Sequence, residues 1–224
     1  WDLRSVLGRG GMGVVWLGED LSREQVAIKV LTSSSARSPS RVSGFANEVA
    51  AAARLDHPAI VRILDHGRLD RTAEVLSSGA LVEDSPWVAM ALASGGQLNR
   101  ASFLWDEWRE VLVRVLGGLA HAHARGVLHR DLKPSNVLLS RASDPTSAQI
   151  VDFGLAFAMG NAPDGPRLAG TPAYMAPEQL DGRWRDYGPT TDLYAVGCMA
   201  VAMTTGEPPD RGRSSRRTKY DPRS

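Results

Sequence analysis

The segment His129-Arg130-Asp131-Leu132-Lys133-Pro134-Ser135-Asn136 constrains this chain more than any other stretch. It combines an acid, a cation, a helix-breaking turn and an amide. Asp131 can accept a proton or orient a hydroxyl. Lys133 can neutralise a negatively charged group beside it. Asn136 presents a carbonyl oxygen suited to a hard divalent cation. Upstream, Trp108, Val111, Leu112, Val115, Leu116 and Leu119 form one apolar stripe, which predicts a helix from about Trp105 to Ala124 with Gly126 as its cap. Downstream, Val137-Leu138-Leu139 reads as a short strand. The fold must therefore hold a polar loop between a helix and a strand.

The chain opens with Gly8, Gly10 and Gly13 in the pattern G-x-G-x-x-G. That pattern also marks dinucleotide-binding folds, which require a helix after the glycines. Here the β-rich run Val14-Val15-Trp16-Leu17 follows, then a turn at Gly18-Glu19-Asp20. The pattern is thus strand, glycine turn and strand, and glycines let backbone N–H groups be approached without Cβ clashes. Gln25–Val30 is the next strand and contains Val26-Ala27-Ile28-Lys29. A serine-rich connector, Thr32–Gly44, leads to a helix over Phe45–Leu55 that stops at Asp56-His57-Pro58. Ile60–Leu64 and Trp87–Ala93 read as strands. Arg68–Pro86 between them reads as an inserted hairpin or loop with no assignable function. Gln149-Ile150-Val151 delivers Asp152-Phe153-Gly154. Gly170-Thr171-Pro172-Ala173-Tyr174-Met175-Ala176-Pro177-Glu178 follows, and an apolar helix runs from Thr191-Asp192 to about Thr205.

The spacing D-x-x-x-x-N from Asp131 to Asn136, the V-A-I-K strand, the D-F-G triplet and the A-P-E segment occur in one fixed order. This set resembles the eukaryotic-like serine/threonine protein kinases of bacteria. Lys133, two residues after Asp131, favours the serine/threonine branch. The resemblance implies an α+β fold of two lobes. Residues 1–93 would form an antiparallel sheet lobe with one helix, residues 94–209 a mainly helical lobe, and residues 210–224 a basic disordered tail. ATP would lie between the lobes, beneath Gly8, Gly10 and Gly13. Val15, Ala27 and Leu138 would sandwich adenine, Met90 would face the back of the pocket, and the backbones of Ala91 and Ala93 would bond the adenine edge. Lys29 would hold the α- and β-phosphates and pair with Glu48. Asn136 and Asp152 would hold Mg2+. Lys133 would meet the γ-phosphate, and Asp131 would orient the serine or threonine hydroxyl of a protein substrate. Ala52, Ile63, His129 and Phe153 would stack as a column joining the lobes, and Asp192 would hold the catalytic-loop backbone.

Composition narrows the partners. Net charge is +1, but Arg211, Arg213, Arg216, Arg217, Lys219 and Arg223 lie after residue 209 and leave the remainder at −3. That body does not read as a nucleic-acid binder. Arginine outnumbers lysine 23 to 3, yet Lys29 and Lys133 are two of the three lysines. A lysine kept in so arginine-rich a chain points to a need for a compact ammonium. No apolar run approaches a membrane span and no signal-peptide pattern opens the chain. The single Cys198 lies in an apolar segment and reads as a buried thiol, which fits a reducing, cytoplasmic compartment.

Further expectations concern activation, metals and the extent of the domain. Leu155–Gly170 contains no serine, threonine or tyrosine, so activation should not use phosphorylation within that loop. His121 and His123 lie on different helix faces and do not read as a metal pair. The resemblance stops near Pro209, before the last helices of a kinase lobe. An incomplete lobe would leave Glu178 half-buried and unpaired and uncover the helix around Ala195–Met203. A catalytically impaired pseudokinase or nucleotide-binding scaffold is the alternative reading, and a regulatory region fused beyond this domain is a further expectation.

Overall fold

The computed structural model describes residues 1–10, 13–31, 49–76, 81–98, 103–153, 161–162, 165–166 and 171–209. The connector 32–48, Gly154 and the tail 210–224 fall outside the described residues, as does most of 155–170.

Strands β1 (Asp2–Gly10), β2 (Gly13–Glu19), β3 (Gln25–Leu31), β4 (Ile63–Arg68) and β5 (Pro86–Ala91) form one antiparallel sheet in the order β1-β2-β3-β5-β4. β3 is central and is buried on both faces. Ala27 and Leu31 point to one side, with Val49, Val61, Val88 and Met90. Val26, Ile28 and Val30 point to the other, with Leu81 and Ala89. A strand covered on both faces needs a nearly continuous apolar run, and Val26–Leu31 supplies it except at Lys29.

The second cover comes from the segment between β4 and β5. Leu69 extends the β4–β5 hairpin, its N–H donating to the Ser85 carbonyl and its carbonyl accepting from the Asp84 N–H, and a helix, α1 (Arg71–Leu76), sits in the connection. Asp70 caps it, its carboxylate accepting from the Ala73 N–H at 2.8 Å. Leu81 is buried, and Leu69 and Ala73 pack against the same cluster. The insertion is thus a hairpin carrying a helix, with a definite structural task on the sheet's outer face.

The expected strand Ile60–Leu64 is displaced. Pairing with β5 starts at Ile63↔Met90 and continues to Arg68↔Pro86. Residues before it turn the other way. The Val61 N–H donates to the Ile150 carbonyl at 2.9 Å and the Ile150 N–H to the Ala59 carbonyl at 2.8 Å, a parallel bridge to the second lobe. Arg114 Nη2 and Gln149 Nε2 both donate to the Pro58 carbonyl, reinforcing this tie.

The second lobe contains β6 (Gly96–Gln97), α2 (Trp105–His123), β7 (Val137–Leu139), β8 (Ala148–Ile150), the paired β9 (Asn161–Ala162) and β10 (Gly165–Pro166), α3 (Pro177–Leu180) and α4 (Pro189–Thr205). Glu107 accepts from the Leu104 N–H and fixes the start of α2. Its buried face is Trp108, Val111, Val115, Gly118, Leu119 and Ala122. Leu116 is largely exposed and Leu112 only partly buried, so the stripe is narrower than expected. Gly126, at φ +73°, turns the chain from α2 toward the loop. α4 begins two residues before Thr191 and buries Ala195, Val196, Cys198, Met199, Ala202 and Met203. Its exposed large apolar residues are Leu193, Tyr194 and Val201, so within the expected stretch Ala195–Met203 Val201 is exposed while Ala195, Val196, Met199 and Met203 are buried. One core joins Ala52 and Leu55 of the first lobe to α2, β7, β8, Phe153 and α4.

Candidate active site

The loop 129–136 is held from beneath by one carboxylate. Asp192 Oδ2 accepts from the His129 N–H at 2.8 Å, and Oδ1 from the Arg130 N–H at 2.7 Å. His123 Nε2 lies 2.7 Å from Asp192 Oδ2. Burial pushes the Asp192 carboxyl up, but the His123 hydrogen bond, the nearby His129 and the two backbone N–H groups outweigh it and hold the carboxyl below its usual range. Arg130 adopts φ +67°, a left-handed conformation costing an L-residue about 1–3 kcal/mol. The Asp192 grip on its N–H helps maintain it. His129 is fully buried. Its Nε2 lies 2.9 Å from the Val151 carbonyl and its Nδ1 lies 3.3 Å from the Asp131 N–H, so the ring is held at both nitrogens. Its ring packs on Phe153 at 4.9 Å between centroids, and Ala52 and Ile63 join the same core.

Four side chains converge above this base. Asp131 Oδ2 lies 2.8 Å from Lys133 Nζ, and Oδ1 accepts from the Thr171 N–H at 3.0 Å. Lys133 Nζ also donates to Thr171 Oγ1 at 2.9 Å. Asn136 Nδ2 donates to the Asp131 carbonyl at 2.7 Å and approaches Oδ2 at 3.4 Å. The amide nitrogen of Asn136 is thus committed to Asp131, which leaves Oδ1 as the atom of this side chain that could meet a cation. Thr171 lies in the segment expected to bind substrate, but its contact with Asp131 was not foreseen. The one available signal was its place directly after Gly170 at the mouth of that segment.

Lys29 meets Asp152 across the cleft. Lys29 is buried on β3, and its Nζ lies 2.6 Å from Asp152 Oδ2. Asp152 has φ +62°, which turns its carboxylate back toward β3. The expected partner Glu48 lies outside the described residues. The carboxylate of Asp152 and Oδ1 of Asn136 are hard oxygen donors of the kind magnesium takes.

The cleft's apolar walls come from both lobes. Val15, Ala27, Met90, Ala91 and Leu138 belong to one cluster. A cavity behind Met90 reaches Val61, Ile63, Asp152 and Phe153. The Ala91 N–H donates to the Arg62 carbonyl at 2.9 Å, so that N–H is already engaged within the chain. The Ala93 carbonyl accepts from the Gly96 N–H at 3.3 Å, leaving its N–H as the group suited to that edge. The three glycines differ. A Cβ on Gly13 would lie 2.2 Å from the Val30 carbonyl, so the sheet itself requires glycine there. A Cβ on Gly8 or Gly10 would meet nothing within 4 Å, so chain packing does not explain them.

The segment after Thr171 is tied in at two more points. Glu178, expected to be left without an arginine partner, accepts from Thr191 Oγ1 at 2.7 Å, and the same hydroxyl accepts from the Gly188 N–H. Gln179, which the sequence did not single out, is buried against the loop. His123 reaches Asp192, whereas His121 packs against His57. Among the described residues no cluster of three His, Cys, Asp or Glu could hold a metal.

Comparison with known proteins matches this arrangement. The family described as protein kinase domain covers residues 1–222. Serine/threonine-protein kinase pkn3 of Myxococcus xanthus is 35% identical over 91% of this chain and 37% of its own length. Serine/threonine-protein kinase PknB of Mycobacterium tuberculosis is 33% identical over 96% of this chain and 34% of its own. The chain spans about a third of the length of these relatives. Among solved structures, the PknI kinase domain of M. tuberculosis superposes with a TM-score of 0.70 at 28% identity, covering 93% of this chain and 73% of that one. Rad53 in complex with AMP-PNP gives a TM-score of 0.69 at 26% identity, over 95% of this chain and 50% of that one.

Proposed function

The chain belongs to the protein kinase domain family, and from that premise we propose that it transfers the γ-phosphate of ATP to serine or threonine hydroxyls of protein substrates. The observation carrying this reading is the convergence on Asp131. One of its oxygens lies on Lys133 and the other on the Thr171 backbone, with Asn136 beneath.

In this reading Asp131 receives the acceptor hydroxyl on the edge of its carboxylate, aligns it in line with the leaving group, and takes its proton. Lys133 neutralises charge developing on the transferred group. Lys29 fixes the α- and β-phosphates. Asn136 Oδ1 and Asp152 would hold magnesium, which when bound draws charge from the phosphate oxygens. Gly8 and Gly10, where an added Cβ would meet no other atom of the chain, leave room for phosphates to approach the β1–β2 hairpin. Val15, Ala27 and Leu138 would enclose the adenine ring, with Met90 behind it, and the Ala91 carbonyl and Ala93 N–H would bond its edge. The complex of Rad53 with AMP-PNP supports nucleotide binding by a chain of this fold.

We also infer a cytoplasmic setting, where ATP and a reduced Cys198 are both expected. No helix among the described residues is long and apolar enough to cross a membrane. The greater length of the curated relatives supports a fused regulatory region in a longer protein.

The test is transfer of radiolabelled phosphate from ATP to serine-, threonine- and tyrosine-containing peptides, with Asp131→Asn alongside. Transfer to serine or threonine by the wild type, lost in D131N with nucleotide binding retained, supports the proposal. Wild-type turnover by a folded D131N would falsify the role of Asp131.

A further inference from the structure

Gln179 follows the A-P-E triplet and has no part in the chemistry above. It is only 5% exposed. Its Nε2 donates to the Arg130 carbonyl at 2.7 Å, and its Oε1 accepts from the Ala176 N–H at 2.9 Å. The amide can sit only one way round. Turned over, it would set N–H against N–H and oxygen against oxygen.

The atom it holds matters. The Arg130 carbonyl and the Asp131 N–H share one planar peptide group. Fixing that carbonyl fixes the direction in which the chain enters Asp131. Arg130 itself sits at φ +67°. Its N–H goes to Asp192 on α4, while its carbonyl goes to Gln179 on α3. The residue before Asp131 is gripped from both sides. The segment carrying Gln179 also touches the Asp131 side chain, through the Thr171 N–H. A closed circuit results: Asp131 to Thr171, along the segment to Ala176, through the Gln179 amide to Arg130, and back to Asp131.

We propose that Gln179 is a positioning residue for Asp131, linking the seating of the substrate-binding segment 171–178 to the peptide plane that aims the Asp131 carboxylate. A peptide substrate lying on that segment would thereby bear on the orientation of the group that receives its hydroxyl. The inference rests on the reading of Asp131 given above.

The test compares wild type, Q179M and Q179E in steady-state phosphorylation of a serine peptide, with AMP-PNP affinity measured separately. Methionine keeps length and removes both hydrogen bonds. It should lower kcat roughly tenfold to a hundredfold while AMP-PNP affinity stays within about twofold. Glutamate keeps the acceptor for Ala176 but faces a carboxylate toward the Arg130 carbonyl. Burial and that carbonyl favour its protonated form, which regains a donor. The ratio of Q179E to wild-type kcat should therefore rise several-fold as pH falls from about 8 to about 6. A purely structural role would not produce this rise. Q179M with wild-type kcat overturns the proposal, as does a ratio for Q179E that stays flat with pH. Should Q179M fail to fold, the pH ratio of Q179E decides alone. Absence of transfer by wild type overturns the kinase reading and this inference together. Wild-type turnover with an unaffected Q179M overturns only the inference.

Discussion

Lys29 and Asp152 are 123 positions apart in sequence, yet their charged groups meet at 2.6 Å with the lysine almost wholly buried. One comes from a sheet strand and the other from the end of β8, so the pair closes the cleft between lobes. Removing one partner leaves a charge in a poorly solvated place. Lys29→Met should destabilise the fold by roughly 2–3 kcal/mol, less than a fully buried pair because Asp152 retains some solvent contact. It should also abolish measurable phosphotransfer. Denaturant unfolding and a transfer assay on one preparation check both.

Thr171 offers a finer probe of the same centre. Its hydroxyl meets Lys133 and its N–H meets Asp131. Thr171→Ala removes only the first contact. Peptide kcat should fall about tenfold, a loss of about 1.4 kcal/mol in transition-state stabilisation. Thr171→Ser should recover most of it. Equal kcat for all three proteins would show the hydroxyl to be idle.

Asp192 predicts a pH dependence of stability. Its carboxyl titrates below its ordinary value of 3.8 in the folded chain, so folding favours the ionised form. The resulting stability is fully present above that ordinary value. It is lost as pH falls through the lower folded value. Asp192→Asn should flatten this acid limb and cost roughly 2–3 kcal/mol near neutrality, because an amide cannot accept from all three donors. Unfolding free energies from neutral pH to below 3.8, compared with wild type, provide the check.

The loop 155–170 lacks any hydroxyl side chain. Mass spectrometry after incubation with ATP and magnesium should find no phosphate between Asp152 and Gly170. Phosphate detected there would contradict the reading of the loop. Loss of activity on phosphatase treatment would place the relevant site elsewhere, with the serine-rich 32–44 connector the first region to map.

Leu81 separates the insertion from the chemistry. It fills the sheet's outer face, away from the cleft. Leu81→Ala should cost about 2–3 kcal/mol, with AMP-PNP affinity unchanged. A variant that loses nucleotide affinity in the folded state would show that the two faces of β3 are coupled.

The sequence made some elements legible and hid others for physical reasons. The stripe from Trp108 to Leu119, the Gly126 turn and the β7 and β8 strands followed from periodicity and glycine chemistry. The meeting of Asp131, Lys133 and Asn136 was readable because the three lie within six consecutive positions of one polar loop. The start of β4 was not readable, since Ile60 and Val61 are as apolar as strand residues but pair with β8 instead of β5. The insertion's helix was missed because a single turn and a half carries little periodicity, leaving Asp70 as its only strong signal. Thr171 and Gln179 were hidden for a different reason. Their roles depend on contacts 40 and 49 positions away, and neither residue type is chemically distinctive alone.

The bridge between Ile60 and Ile150 has a mechanical consequence. The lobes are joined by the strand leading out of β5 and, again, by the Ala59–Val61 stretch laid along β8. Two attachments define an axle. Relative motion of the lobes about it would be chiefly a swing, with sliding strongly resisted. Displacement then grows with distance from the axle, so the Gly10 end of β1 and the Gly13 end of β2 would travel far while the floor beside Asp152 barely shifts. A spectroscopic distance label at the hairpin should report opening and closing on nucleotide exchange, and one placed near Met90 should stay nearly still.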